Sequence, residues 1–252
     1  MKVHTLTVCA AAVLALAACN KNKNEAGAPS AKNDSVTITQ ANPPPGGTWA
    51  DVVNATSAGG YMMGKPNAKV KLLEIGSLSC PHCQKFEEEG EPILVDKYVK
   101  TGKVSWEFRP YVIHGPIDMA ANLVATCDGV KTFFPLTQAL YKDQASWLAK
   151  VESAPQDKLS QIQNLPTNQM FVAMANVLGL QDWAGMRGVP QAKSNQCLSN
   201  QKMIDQQVQI TTDVSNEYPD FQGTPSFIIN GKLLTNTASS DKLQPQLDEA
   251  LK

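Results

Sequence analysis

The sequence predicts an α/β fold with a long all-helical segment set into it. Three observations carry this: a strand, helix, strand succession between residues 68 and 113, helical segments from 116 to about 218, and a return to strand chemistry near residue 226. "AKVKLLEIGS" (68–77) alternates and then becomes apolar at Leu72 and Leu73, as a strand entering a buried sheet does. From Pro81 to Lys100, Phe86, Ile93, Leu94 and Tyr98 recur at helical spacing with Glu87, Glu88 and Glu89 between them, and Gly102 is the expected stop. "KVSWEFRPYVI" (103–113) then reads as a strand with Val104, Trp106 and Phe108 on one face.

The flanking elements follow the same rules. "TWADVVNATSAGGYMMG" predicts two short strands about the turn Ser57 to Gly60. "IDMAANLVATC", "FFPLTQALYK", "PTNQMFVAMANVLGL" and "QKMIDQQVQITTDVSNEY" are helical segments separated by Pro, Gly and Asn breakers. "PSFIING" and Lys232 to Thr235 form a hairpin through the Asn230-Gly231 turn, and a last helix spans about Ser240 to Leu251.

The chain has 252 residues, 42% of them hydrophobic, and a formal net charge of -1, enough for one large or two small domains. That balance supplies no basic field to hold nucleic acid. The N-terminal "MKVHTLTVCAAAVLALAACN" has Lys2 in a short basic head and then an apolar run too short for a membrane helix, so it reads as an export signal. Leu16-Ala17-Ala18-Cys19 resembles a bacterial lipobox, which makes residues 1–18 a lipoprotein signal and Cys19 the lipidated first residue of the mature chain. The alternative is ordinary cleavage near Ala17 or Ala18. Residues 19–47 carry few large apolar side chains and are expected to be a disordered tether.

Export fixes the redox context, because an exported chain meets oxidants that a cytosolic one does not. Of six cysteines, Cys9 leaves with the signal and Cys19 takes lipid, so Cys80, Cys83, Cys127 and Cys197 remain. In "SLSCPHCQKFEEE", Cys80 falls at a helix N-cap with Pro81 at the first helical position. Unpaired N–H groups and the positive end of the helix dipole then favour the Cys80 thiolate, and His82 is expected to add a second stabilising donor. A stabilised thiolate is a good leaving group, which favours the reduced pair and makes the disulfide an oxidant of other thiols. Two other readings compete. A zinc site needs two further ligands, and apart from His82 the mature chain has only His114. A structural staple across two residues restricts the unfolded chain very little. Glu74, between Leu73 and Ile75, is either a functional buried acid or a solvent-facing residue of an alternating strand.

"EIGSLSCPHCQKFEE" resembles the active-site segment of DsbA-like thiol:disulfide oxidoreductases, thioredoxin-fold proteins of the bacterial periplasm; Pro81-His82 and Phe86-Glu87-Glu88 are shared. "GTPSFIING" resembles their cis-proline loop, with Thr224-Pro225 facing the disulfide and the Thr224 backbone pairing with substrate. The resemblance spans about residues 60–252. It implies a thioredoxin-like fold with an inserted all-helical domain: a thioredoxin-like part at 48–114, the insertion at 115–203, and the rest of the thioredoxin-like domain at 204–252. It also implies catalytic roles for Cys80, Cys83, Pro81 and His82, and for Glu74 in proton transfer at Cys83. Thr224 and Pro225 bind substrate, and no metal or organic cofactor is implied.

The implied activity is oxidation of exported, unfolded or reduced proteins, with a quinone-linked membrane protein reoxidising the pair, in a periplasmic protein anchored through lipid. Thr224 departs from the valine of the best-known oxidases and matches several isomerases and reductases, so the direction of electron flow stays open. The rival readings are an isomerase or reductase kept reduced by a membrane donor, and a tethered metal chaperone that uses the two thiols as ligands. Cys127 and Cys197 are expected to form a structural disulfide in the helical block, the alternative being two buried free thiols. His114, after a strand near the insertion boundary, reads first as a capping or packing residue, the alternative being a residue that borders the active site; Trp106, Trp147, Trp183 and Met62, Met63, Met170, Met174, Met186 and Met203 read as core or groove lining.

Overall fold

The computed structural model describes residues 36–37 and 41–252. The export signal and Cys19 lie outside the described residues. A seven-stranded mixed sheet runs β1 (Val36–Thr37), β2 (Val53–Thr56), β3 (Tyr61–Met63), β5 (Val104–Pro110), β4 (Val70–Gly76), β6 (Ser226–Ile229) and β7 (Lys232–Leu233) in spatial order. Among the described residues only β4 and β5 pair in parallel, and the helical crossover between them carries the cysteine pair. β1 falls inside the segment expected to be tether, where its backbone pairs antiparallel with the open edge of β2.

Period-two alternation divides the central strands between two cores. Val70 and Leu72 of β4, Val104, Trp106 and Phe108 of β5, and Phe227 and Ile229 of β6 belong to the main core. Leu73, Ile75 and Ile228 face the opposite side, where Val214 of a long helix covers them. Strand β5 is buried on both faces, Ser105 and Arg109 included, rather than on the one face that its alternation suggests. Arg109 is tolerated there because Glu107 and Glu217 each pair with it at 3.2 Å.

The single helix expected from Pro81 to Lys100 is instead three pieces: α1 (Pro81–Glu89), α2 (Glu91–Leu94) and a π-turn at Val95–Val99. Pro92 has no N–H to continue the ladder, so the chain must re-start there. Gly90 fills the joint, since a Cβ at that position would stand 2.6 Å from the Phe86 ring.

The helical block comprises α3 (Pro116–Ala125), α4 (Val130–Lys142), α5 (Gln144–Glu152), α6 (Gln156–Gln163), α7 (Thr167–Leu178), α8 (Leu180–Gly185), α9 (Gln191–Ser199) and α10 (Gln201–Glu217). The expected boundary at 203/204 falls inside α10. The chain turns instead at Asn200, whose side chain accepts from the N–H groups of Lys202 and Met203 and caps that helix. Cys127, just after α3, and Cys197, within α9, form a disulfide that closes a span of 70 residues. The β6–β7 hairpin turns at Asn230 and Gly231, both at positive φ, and α11 (Ser240–Ala250) closes the chain.

Trp106, Trp147 and Trp183 are buried, as are Met62, Met63 and Met174, whereas Met186 is 78% exposed and lines no core. A loop of 70 residues gives the Cys127–Cys197 bond about 4.4 kcal/mol of unfolded-state restriction in the chain-entropy model. The double variant Cys127→Ala/Cys197→Ala is therefore expected to lose about that much in urea unfolding while keeping its helical circular dichroism.

Candidate active site

Cys80 occupies the N-cap of α1 in extended conformation, and Pro81 takes the first helical position. The apolar strand β4 ends at Gly76, and a turn at residues 77–80 delivers the chain to the helix, so the cysteine stands at the C-terminal end of a central strand. Both cysteines are free thiols. Cys80 keeps 5% of its surface exposed and Cys83 none, so an incoming sulfur meets Cys80 first.

The Thr224–Pro225 bond is cis and brings the Thr224 carbonyl to the pair. The Cys80 thiol donates to that oxygen at 3.2 Å. Thr224 Oγ1 is buried without a hydrogen-bond partner, so its hydroxyl can turn toward the sulfur once the proton has left.

These contacts set the Cys80 thiol at about 5. The hydrogen bond from the Cys83 thiol is the largest cause; burial opposes it; the Thr224 side chain and the backbone N–H groups of Cys83 and His82 add to the lowering. The His82 imidazole, expected to stand between the sulfurs, is exposed, and His82 acts on Cys80 through its backbone instead. Cys83 goes the other way. Burial pushes its thiol well above the ordinary range, and the donated bond to Cys80 and the nearby charge of Glu74 reinforce this. One sulfur is thus an anion at neutral pH and the other keeps its proton.

Glu74 is 1% exposed, which decides between its two readings in favour of the buried one. Its register neighbours are Phe108 on β5 and Phe227 on β6, and Trp106 Nε1 donates to its Oε2 at 3.1 Å. Burial between these rings raises its carboxyl to about 8, against the pull of the Trp106 bond. Burial also pushes the Glu87 carboxyl well above the ordinary carboxylate range and raises that of Glu91, and both line a cleft of about 540 Å³ with Gln138 and Tyr141.

The structure therefore gathers Glu74, Cys80, Pro81, Cys83, Thr224 and Pro225 at one place and leaves the His82 ring outside it. Cys127 and Cys197 sit apart, in the insertion. His114 is at the site after all: its Nδ1 lies 2.6 Å from the Ser79 hydroxyl. Ser77, Ser79, Asp118, Tyr141 and Gln144 also surround the turn and were not anticipated. Asp118 alone carried a signal, as an acid in the first turn of a helix opened by Gly115-Pro116.

An N-cap thiolate on a parallel strand, faced by a cis-proline loop, is an arrangement for exchanging disulfides. The thioredoxin family profile ("Thioredoxin") matches residues 56–249. A protein-disulfide isomerase from Novosphingobium aromaticivorans superposes with a TM-score of 0.72 at 32% identity, over 76% of this chain and 96% of that one. Wolbachia pipientis alpha-DsbA1 shares the fold at a TM-score of 0.60 and 21% identity, over 75% of this chain and 89% of its own. A Rickettsia felis relative, provisionally named a protein-disulfide oxidoreductase, is 27% identical over 191 residues, 75% of this chain and 59% of the relative. The chain thus spans about three fifths of that relative's length. It belongs to the thioredoxin family, in the DsbA-like form whose sheet is interrupted by a helical insertion.

Two measurements follow. The 240 nm thiolate absorbance of the reduced protein should rise as one sulfur with a midpoint at about 5, and Cys83→Ala should move that midpoint upward by removing the largest stabiliser. Glu74 has a raised folded value, about 8 against an ordinary 4.5. Its contribution to stability is therefore complete below 4.5 and is lost as pH rises through 8. The unfolding free energy of the oxidised protein in urea titrations should fall across that window, at up to about 1.4 kcal/mol per pH unit, and Glu74→Gln should flatten the fall.

Proposed function

We propose that the protein is a thiol:disulfide oxidoreductase that acts as an oxidase of exported protein thiols. The observation that carries this reading is the opposite displacement of the two thiols: the low Cys80 and the high Cys83. A sulfur stable as an anion leaves a mixed disulfide readily, and a reduced state stabilised in this way makes the disulfide a strong oxidant.

The reaction runs from the oxidised pair. A substrate thiolate attacks Cys80 Sγ; the Cys80–Cys83 bond breaks as the mixed disulfide forms, and Cys83 leaves with a proton taken from the Glu74 carboxyl. A second substrate thiolate attacks the substrate sulfur of the mixed disulfide and expels Cys80 as a thiolate. The substrate loses two electrons and gains a disulfide, and the pair holds those electrons as one thiolate and one thiol. Thr224, beside Cys80, offers its backbone to the substrate segment in extended form. A membrane electron acceptor linked to quinone chemistry then restores the disulfide. The reading includes a periplasmic location and a lipid anchor at Cys19; among the described residues no helix is long and apolar enough to cross a membrane.

A second reading, disulfide isomerase or reductase, draws on two observations. Thr224 stands before the proline, and the 32%-identical structure bears the name of a protein-disulfide isomerase. Stopped-flow mixing of the oxidised protein with a peptide holding two thiols separates the readings. The oxidase reading expects rapid peptide oxidation, a mixed disulfide trapped on Cys80 in the Cys83→Ala variant, and weak insulin reduction by the dithiol form. Efficient insulin reduction with the peptide left unoxidised contradicts it and favours the second reading.

A further inference from the structure

The turn at residues 77–80, which presents the reactive cysteine, is gripped almost wholly by side chains from the helical insertion and its hinge. Asp118, in the first turn of α3 and fully buried, accepts from the Ser77 hydroxyl at 2.8 Å and the Ser79 N–H at 3.0 Å through Oδ1. Its Oδ2 accepts from the N–H groups of Ile113 at 2.9 Å and His114 at 2.8 Å, in the hinge between β5 and α3. Tyr141 of α4 donates to the Ser77 carbonyl at 3.1 Å. Gln144, at the start of α5 and 3% exposed, donates its amide to the carbonyls of Leu78 at 2.8 Å and Cys80 at 3.0 Å.

Every residue of the turn is thus held by a group that a bare strand–helix junction does not contain. We infer that Asp118 and Gln144 are positioning residues: they clamp the turn so that the Cys80 sulfur stays within reach of the Cys83 thiol, the first N–H groups of α1 and Thr224. This rests on Cys80 being the reactive thiol of the proposed reaction. Hydrogen bonds to a sulfur anion weaken steeply as the donors drift or tilt, so a slack turn gives up stabilisation that burial alone opposes. Asp118 suits a clamp because four donors satisfy one buried carboxylate, and Gln144 because two donors on one planar amide fix two carbonyls at once.

Ser79, His114 and Asp118 together suggest a hydrolytic triad, and the geometry excludes it. A triad places serine and acid on opposite ring nitrogens, whereas both face His114 Nδ1, the serine oxygen at 2.6 Å and the acid at 4.0 Å. The group acts on the shape of the turn.

The test compares wild type, Asp118→Asn, Gln144→Leu and a control, Asn195→Ala in α9, by thiolate absorbance and by iodoacetamide alkylation of the reduced proteins. Asp118→Asn turns one of the two acceptor oxygens into a donor amide that faces N–H groups; Gln144→Leu keeps the bulk and removes both donors. Each should raise the thiolate midpoint by about one pH unit and slow alkylation at pH values below the wild-type midpoint by about tenfold, with wild-type circular dichroism and a control that matches wild type. The double variant should add little to either single change, because both residues hold one turn. If Asp118→Asn does not fold, Gln144→Leu decides; a folded Gln144→Leu with the wild-type midpoint overturns the clamp. Neither readout uses a peptide substrate, so a wild-type protein that oxidises no peptide thiols counts against the proposed function and not against the clamp.

Discussion

The helix that starts at Pro81 directs its positive end at a sulfur at its own N-cap, and the buried Cys83 thiol is the largest cause of that sulfur's lowered pKa. Much of the fold serves this contact. A central strand buried on both faces ends just before the turn, so the helix origin is fixed relative to the sheet. The cis-proline loop brings Thr224 against the same sulfur, and the insertion holds the turn from the far side. The hydrogen bond that the two cysteines share lowers the first and raises the second, and burial raises the second further.

Glu74 shows what this asymmetry demands. A carboxyl between Phe108 and Phe227 in the sheet, with Trp106 as donor, is a costly residue for a core, and burial keeps it protonated near neutral pH. A departing Cys83 sulfur, itself a strong base in that surrounding, needs a proton that bulk water cannot bring to a fully covered atom. In the proposed reaction that proton comes from Glu74, an acid that burial keeps neutral near neutral pH on the strand that leads into the turn. On that proposal, destabilisation at Glu74 and reactivity at Cys83 are two faces of one placement.

Most of the sheet and the position of the cysteine pair were legible in the sequence, because strand alternation, the Asn230-Gly231 turn and Pro81 after Cys80 are local signals with local causes. The broken helix was less so: Gly90 is needed for its closeness to the Phe86 ring, a contact that helical spacing alone does not encode. The double burial of β5 was hidden because Arg109 and Ser105 look like solvent residues until Glu217 is brought across from α10. His82 misled for a related reason: its sequence neighbours place it between the sulfurs, but the first turn of the helix points its ring outward. The grip on residues 77–80 could not be read at all. Asp118 and Gln144 lie 39 and 64 residues from their partners in the turn, and only the folded insertion brings them there.

The reduction potential of the Cys80/Cys83 couple, measured by equilibration with glutathione redox buffers, tests the central claim most directly. It weighs the stabilised Cys80 thiolate against the disulfide in a single number. A potential well above the about -270 mV of thioredoxin, toward the about -120 mV of the strongest oxidants of this fold, is what the geometry of Cys80 predicts. A potential at or below that of thioredoxin contradicts it, because the contacts at Cys80 would then not favour the reduced pair.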